Sequence, residues 1–219
     1  SAASDVYKRQ ISPRAMRNGI IVTVLFACLI GSALLFYAGW ELIIVGLLCV
    51  LFAFLYTTGP YPLSYNGWGD VLVIVFFGFV PVGGTYYVQA LTWTSDTTVA
   101  SLICGLLIDT LLVVNNYRDR EADARSGKRT VIVRFGEKFG RYLYLMLGVA
   151  ASLLCFWFFF EGHLFAALLP LLYLIPHVLT WRRMVQIHSG KKLNSILGET
   201  SRNMLLMGIL LSIGFLIRH

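Results

Sequence analysis

The sequence predicts an all-α integral membrane protein, a bundle of helices threaded repeatedly through a bilayer, on three observations. Apolar residues make up 58% of the 219 and charged residues 13%, against roughly 45–50% and 25% in an ordinary soluble chain. The apolar residues collect in runs that approach the ~20 needed to cross a hydrocarbon core of about 30 Å. Strand-period alternation is absent from those runs, and in lipid only helices or closed barrels pair every backbone group. The same composition excludes disorder, because so much apolar surface does not stay solvated. A disulfide scaffold is excluded too. Cys28, Cys49, Cys104 and Cys155 lie far apart inside apolar runs with no C-x-x-C pair, and read as small buried hydrophobes.

Taken in order, the spans are residues 19–37, 42–58, 71–91, 99–114, 142–160, 164–181 and a last one ending at Ile217, about seven helices in all. The fourth is short and is expected to continue beyond the bilayer surface. The last contains Glu199 and Arg202, so its start falls anywhere from Leu193 to Met204. The first ten residues, SAASDVYKRQ, have neither span nor signal-peptide character and read as a polar leader. No internal repeat, low-complexity tract or soluble domain follows.

Alternate loops thread to opposite sides, and one side then holds every one of the 18 Lys and Arg except Arg218. By the positive-inside rule that face is cytoplasmic, which places the protein in the cell (inner) membrane with its basic loops inside. The net charge of +7 therefore reflects topology and a polyanionic substrate on that side, not a nucleic-acid partner.

The fourth span and its extension read LLIDTLLVVNNYRDREADARSGKRT, residues 106–130. At 100° per residue with Asn115 at 0°, Asp119 falls at about 40°, Asp123 at about 80°, Asn116 at about 100° and Asp109 at about 120°. Arg118 and Tyr117 point elsewhere, at about 300° and 200°. Asp119 and Asp123 form an i, i+4 pair whose repulsion weakens an isolated helix, so a cation is expected between them and a neighbour. Oxygen-only ligands without imidazole or thiolate select a hard ion such as Mg²⁺, which keeps several waters while bridging carboxylates to phosphates. The alternative is a charged helix end that is simply solvated. Against it stand the amides of Asn115 and Asn116 at the bilayer boundary, which need partners at that depth.

Basic residues crowd the same segment, among them Arg118, Lys128 and Arg129. The G-x-x-x-x-G-K-[ST] pattern fails, because Ala122 holds the first Gly position and Arg129 follows the Lys. They remain candidates for phosphate binding as point charges, beside others that serve only as cytoplasmic anchors. Asp109 lies about 9 Å along the helix from Asn115, inside the hydrocarbon region. An intramembrane carboxylate should face the bundle interior, either as part of a functional site or as a hydrogen-bonding link to a neighbouring helix. In the loop TTGPYPLSYNGWGD, residues 57–70, Pro and Gly end the second helix. Its Tyr61, Tyr65, Asn66 and Trp68 either sit in the interfacial belt or wall a pocket.

These residues carry a resemblance. NNYRDREAD followed by GKRT, together with YTTGPYPLSYNGWGD and FFGFVPVGGTYYVQ, resembles the UbiA superfamily of intramembrane prenyltransferases. Within it the likeness is to the 1,4-dihydroxy-2-naphthoate polyprenyltransferase branch of menaquinone biosynthesis. It runs from about Ile11 to the C-terminus. The resemblance implies nine helices around a lipid-facing cavity, and two Asp-rich segments that hold Mg²⁺ against an allylic diphosphate. It implies transfer of a polyprenyl group from polyprenyl diphosphate to dihydroxynaphthoate with loss of the ring carboxylate as CO₂. Asn115, Asp119 and Asp123 match the second Asp-rich segment. Asp119 and Asp123 are then the expected Mg²⁺ ligands, supported by Asn115 and Asn116. Arg118, Lys128 and Arg129 are the diphosphate candidates, Tyr61 and Tyr65 the pocket wall, and Asp109 a hydrogen-bonding partner of the acceptor or of a neighbouring helix.

Two departures accompany the match. Related quinone prenyltransferases carry Tyr-Pro-x-x-Lys where this chain has Tyr61-Pro62-Leu63-Ser64-Tyr65, as befits the naphthoate branch. The first Asp-rich segment, N-D-x-x-D-x-x-x-x-G-x-D, is not found. The expected organisation is thus an unrelated leader, residues 1–10, and one prenyltransferase domain, residues 11–219, lacking its first two helices. Alternative readings are a different aromatic acceptor, a membrane transporter using Asp109, or an inactive fragment. A CDP-alcohol phosphotransferase would need D-x-x-D-G-x-x-A-R, and no Asp-Gly dipeptide occurs.

Overall fold

The computed structural model describes residues 12–217, so the leader, Ile11 and Arg218 lie outside the described residues. All regular structure among the described residues is helical. Among the described residues six helices are long and apolar enough to cross a membrane, and a seventh, shorter one is also apolar. The chain divides into two compact units, residues 1–53 and 54–219.

In the first unit, helix α1 (Pro13–Ser32) opens with Pro13 in its first turn. The Ser12 side chain accepts a hydrogen bond from the Ala15 N–H at 3.1 Å, a cap that pairs one of the orphan donors. Helix α2 (Glu41–Thr57) carries Glu41 in its first turn, where the helix dipole favours an acid. Neither helix buries a residue. Leu25 and Leu47 are about two-thirds exposed, which a lipid-facing helix tolerates because acyl chains solvate them. For the same reason Cys28 is exposed rather than buried as expected, whereas Cys155 in the second unit is fully buried.

In the second unit, α3 (Gly69–Ala90) contains a π-helical stretch, Ile74–Gly83, around Pro81. The wider turn accommodates the missing proline N–H. Next comes α4 (Ser95–Arg125), 31 residues long, about 46 Å at 1.5 Å per residue. It outruns a bilayer core, as expected of the fourth span. After a short helix, α5 (Val131–Phe135), follow α6 (Glu137–Phe160), α7 (Leu164–Ile187) and α8 (Leu193–Leu216). The last helix starts at the upstream end of its expected window, so Glu199 and Arg202 lie inside it. The buried Glu199 is accommodated by Arg183 Nη1 at 2.6 Å and the Thr180 hydroxyl at 3.4 Å.

Helix α4 is the common wall of both cores. One cluster joins its Val113, Val114 and Tyr117 to Tyr144, Met184 and Ile196, and the other joins its Ile103 and Leu107 to Phe158, Tyr173 and Met207. At the C-terminal end of α4, Glu137 gathers α4, α6 and the end of α7. It accepts from the Tyr117 hydroxyl at 2.9 Å, from Arg120 at 3.2 Å and from Arg141, and His188 Nε2 stands 3.0 Å away. With Tyr117 fully buried, the rotation of α4 is set, and Asn115 and Asn116 turn away from this hub.

Candidate functional site

The site begins where α3 crosses α4. A Cβ on Gly78 would come within 2.5 Å of the Ser101 carbonyl, and one on Gly105 within 2.9 Å of the Ile74 carbonyl. Only hydrogen side chains allow so close an approach. The helices run antiparallel through these contacts, so one turn beyond the Gly105–Ile74 contact Asp109 comes opposite Asp70.

Above the crossing, the segment between α2 and α3 folds over the end of α4. Ser64 Oγ donates to the Tyr56 carbonyl at 2.5 Å, and Asn66 Nδ2 to the Pro62 carbonyl at 2.8 Å. Gly67 takes φ +82°, a left-handed turn that favours glycine. The Arg129 N–H donates to the Tyr65 carbonyl at 2.7 Å, and Arg134 Nη2 to the Asn66 carbonyl at 2.8 Å. These bonds pin the loop to the turn that follows α4. That turn closes with the Lys128 N–H on the Asp123 carbonyl at 2.9 Å, and brings Lys128 Nζ to Asp123 Oδ2 at 3.3 Å.

Between loop, turn and helix lies a cleft of about 330 Å³. From α4 it is lined by Leu112, Asn115, Asn116 and Asp123. The turn contributes Ser126, Lys128 and Thr130, and the opposite side contributes Tyr56, Tyr65 and Asp70. Of the residues singled out in the sequence, Asn115, Asn116, Asp123, Lys128 and Tyr65 therefore meet in one opening.

The others are placed elsewhere. Arg118 Nε and Nη2 grip both Asp119 oxygens at 2.8 and 2.6 Å, Nη2 also donates to Asn115 Oδ1 at 2.7 Å, and Nη1 reaches Asn194 Oδ1 on α8 at 2.9 Å. A cation does sit on Asp119, then, and it belongs to the chain itself. Neither Arg118 nor Asp119 lines the cleft. Arg129 contributes its backbone to the loop tie, Tyr61 is 56% exposed outside the lining, and Asp109 is buried deeper in the bundle.

Sequence reasoning missed Asp70, Tyr56, Ser64, Ser126 and Thr130. Asp70 had a signal, since it closes the Pro/Gly-rich loop. An acid in the first turn of a helix is, however, explained by the dipole alone. The cleft's donor set is entirely oxygen, suited to a hard cation. Among the described residues no three His, Cys, Asp or Glu side chains gather closely enough to enclose an ion by themselves. A hard ion held there would need water and phosphate oxygens to complete its shell. With Lys128 and two hydroxyls at the same opening, the arrangement suits a phosphorylated ligand.

Set against known proteins, the chain matches the UbiA prenyltransferase family over residues 6–212. It is 36% identical to the 1,4-dihydroxy-2-naphthoate octaprenyltransferase of Haemophilus influenzae over 226 residues, 97% of this chain and 71% of that protein. It is 38% identical to the Escherichia coli protein of the same name over 154 residues, 68% of this chain and 50% of that one. UbiA prenyltransferase domain-containing protein 1 of Dictyostelium discoideum is 30% identical over 162 residues, 74% of this chain and 48% of that protein. The chain thus spans 71% of the Haemophilus relative and about half the length of the other two.

Proposed function

The chain belongs to the UbiA prenyltransferase family of membrane enzymes, and on that premise we propose that it transfers a polyprenyl group from polyprenyl diphosphate to 1,4-dihydroxy-2-naphthoate. The ring carboxylate leaves as CO₂, giving the demethylmenaquinone skeleton of menaquinone biosynthesis. The observation that carries this reading is the cleft itself. It sets Lys128, two hydroxyls, the Asp123 carboxylate and two Asn amides at the polar end of a membrane bundle. The activity for which the Haemophilus and Escherichia relatives are named supports the acceptor.

Within that reading Lys128 attracts the diphosphate as a point charge, and the Ser126 and Thr130 hydroxyls donate to its oxygens. Arg118 and Arg129, outside the lining, are further candidate cations for the diphosphate. Asp123 is the carboxylate at the cleft that would hold Mg²⁺, with Asn115 and Asn116 beside it, and Asp119 would join it on release from the Arg118 guanidinium. Bound there, the ion supplies neutralisation of the charge that develops on the departing diphosphate. Tyr65 and Tyr56 present aromatic faces, and Tyr61 lies outside the lining. Such faces stabilise an allylic cation by about 2 kcal/mol when water is excluded. The C–O bond to diphosphate breaks and the ring carbon bearing the carboxylate forms the new C–C bond. The C–CO₂ bond then breaks, returning its electron pair to the ring. The isoprenoid tail stays in the bilayer throughout. This orientation puts the basic loops on the cytoplasmic side of the inner membrane, where soluble dihydroxynaphthoate is met.

The test is prenyl transfer by the chain in lipid nanodiscs, supplied with labelled polyprenyl diphosphate and dihydroxynaphthoate. Asp123→Ala and Asp119→Ala should each abolish product, and EDTA should do so reversibly. Full turnover by either variant, or in EDTA, refutes the assignment of these carboxylates.

A further inference from the structure

Two carboxylates with a buried, unpartnered oxygen are left unused by the reading above. Asp109 is 1% exposed, Asp70 forms part of the cleft wall, and the Oδ1 of each is buried without a hydrogen-bond partner. They stand opposite one another across the α3–α4 crossing, within electrostatic reach of each other and of Tyr56. Neither belongs to an ion pair among the described residues. A buried carboxylate oxygen left without a donor is unfavourable, more so at membrane depth, and is explained when the donor arrives with a ligand.

Only one of the two can meet that ligand. Asp109 is sealed away from the cleft, whereas Asp70 lines it. Two carboxylates that face each other away from water cannot both carry charge, so one proton is held between the pair, and Asp70, the member at the cleft, presents its carboxylate to the opening. The cleft is also divided by element. Its phosphate-suited groups, Ser126, Lys128 and Thr130, come from the turn after α4. Leu112, about 16 Å down the helix from Asp123, packs beside Gly69 and near Tyr56 Oη, with 3.4 and 3.5 Å separating them from a Cβ built there. The Asp70 end therefore offers an apolar and aromatic surface with one carboxylate oxygen. That oxygen repels a diphosphate but accepts from a hydroxyl on a flat ring.

We propose that Asp70 binds a ring hydroxyl of the aromatic acceptor, and that Asp109 behind it acts as a positioning residue. The proposal rests on the prenyl-transfer reading and deepens it, by assigning the acceptor end of the cleft. An O–H donating to a carboxylate enriches the ring in electron density, which favours attack through carbon. Two O–H groups on one ring, as in a 1,4-dihydroxy aromatic acid, give the geometry a choice of donor that an alkylated ring lacks.

Calorimetric titration of the chain in nanodiscs tests this with three probes: a 1,4-dihydroxy aromatic acid, its 1,4-dimethoxy analogue, and pyrophosphate with Mg²⁺. The unaltered chain should prefer the dihydroxy probe by about tenfold or more, the scale of one hydrogen bond to a charged acceptor. Asp70→Asn should erase the preference. Asp109→Asn, whose amide still donates to Asp70, should keep it, and Asp109→Leu, which leaves the Asp70 carboxylate alone in the bundle and favours its protonation, should reduce it. Pyrophosphate affinity should stay within about twofold in all three, a selectivity that mere loss of structure does not produce. Retained preference in Asp70→Asn overturns the inference, as does equal binding of the two aromatic probes by the unaltered chain, a comparison that needs no variant. Pyrophosphate binding lost in step with ring binding assigns Asp70 to the cation or diphosphate instead. An unaltered chain that binds none of the three overturns the functional reading as well.

Discussion

Replacing Gly78 with Ala puts a methyl group where the backbone of α4 already lies. The added Cβ would stand 2.5 Å from the Ser101 carbonyl oxygen, 2.8 Å from Gly105 Cα and 2.9 Å from Gly105 N. These are backbone atoms, so no rotamer change relieves the overlap. A carbon–oxygen contact of about 3.3 Å is the near limit of ordinary packing, so the two helices must part by about 0.8 Å at the crossing. Overpacking of this kind costs about 1–3 kcal/mol. Asp70 lies roughly 12 Å along α3 from Gly78, close enough to inherit part of the shift. A misplacement of about 1 Å at a reacting site costs on the order of 100-fold in rate, and an attenuated shift should cost about tenfold. The assay pairs thermal unfolding in detergent with the rate of prenyl transfer. Gly84→Ala is the control, because nothing lies within 4 Å of a Cβ at that position on the same helix. Should Gly78→Ala match Gly84→Ala in both measurements, the close crossing does not set the site.

Three further outcomes are expected. Gly148→Ala drives its methyl into the His177 ring, which stacks on Tyr144 at 4.7 Å. The Leu145 carbonyl only accepts, so His177 Nε2 carries the proton at 3.2 Å and Tyr173 donates to Nδ1 at 2.9 Å. Losing both bonds inside lipid should lower stability by about 2 kcal/mol, and unaltered denaturant unfolding would count against that network. Arg118→Ala frees Asp119 and Asn115 and cuts the tie to Asn194, so Mn²⁺ affinity read by electron paramagnetic resonance should rise on the order of tenfold. Arg118→Lys should not restore the tie, because an ammonium cannot grip two oxygens in a fork; a Lys variant indistinguishable from the parent contradicts this. Lys128→Ala should weaken pyrophosphate binding by about tenfold, and an unchanged dissociation constant would move the phosphate end of the cleft elsewhere.

The legible and illegible parts of the site differ in kind. Asn115, Asn116 and Asp123 share one arc of a 3.6-residue helix, and the cleft uses all three. Asp119 shares the arc too, yet Arg118 claims it. A wheel reports where a Cα points, not how far a guanidinium reaches back along its own helix. Tyr65 faces the cleft and Tyr61, four residues earlier, does not, because the loop's direction depends on bonds to Arg129 and Arg134, more than sixty residues away in the chain. The resemblance carried by NNYRDREAD and the Pro/Gly-rich loop agrees with the family match over residues 6–212.

Hydropathy and helical period are local and additive, and so the order of residues alone determined a multi-span helical protein, the apolar helices among its described residues and the polar face of α4. Which helices touch depends on cancelling small differences over long separations. Tertiary structure alone decided that Gly78 and Gly105 let α3 and α4 meet, that Asp70 joins the cleft, and that Asp109 stands behind it rather than in it.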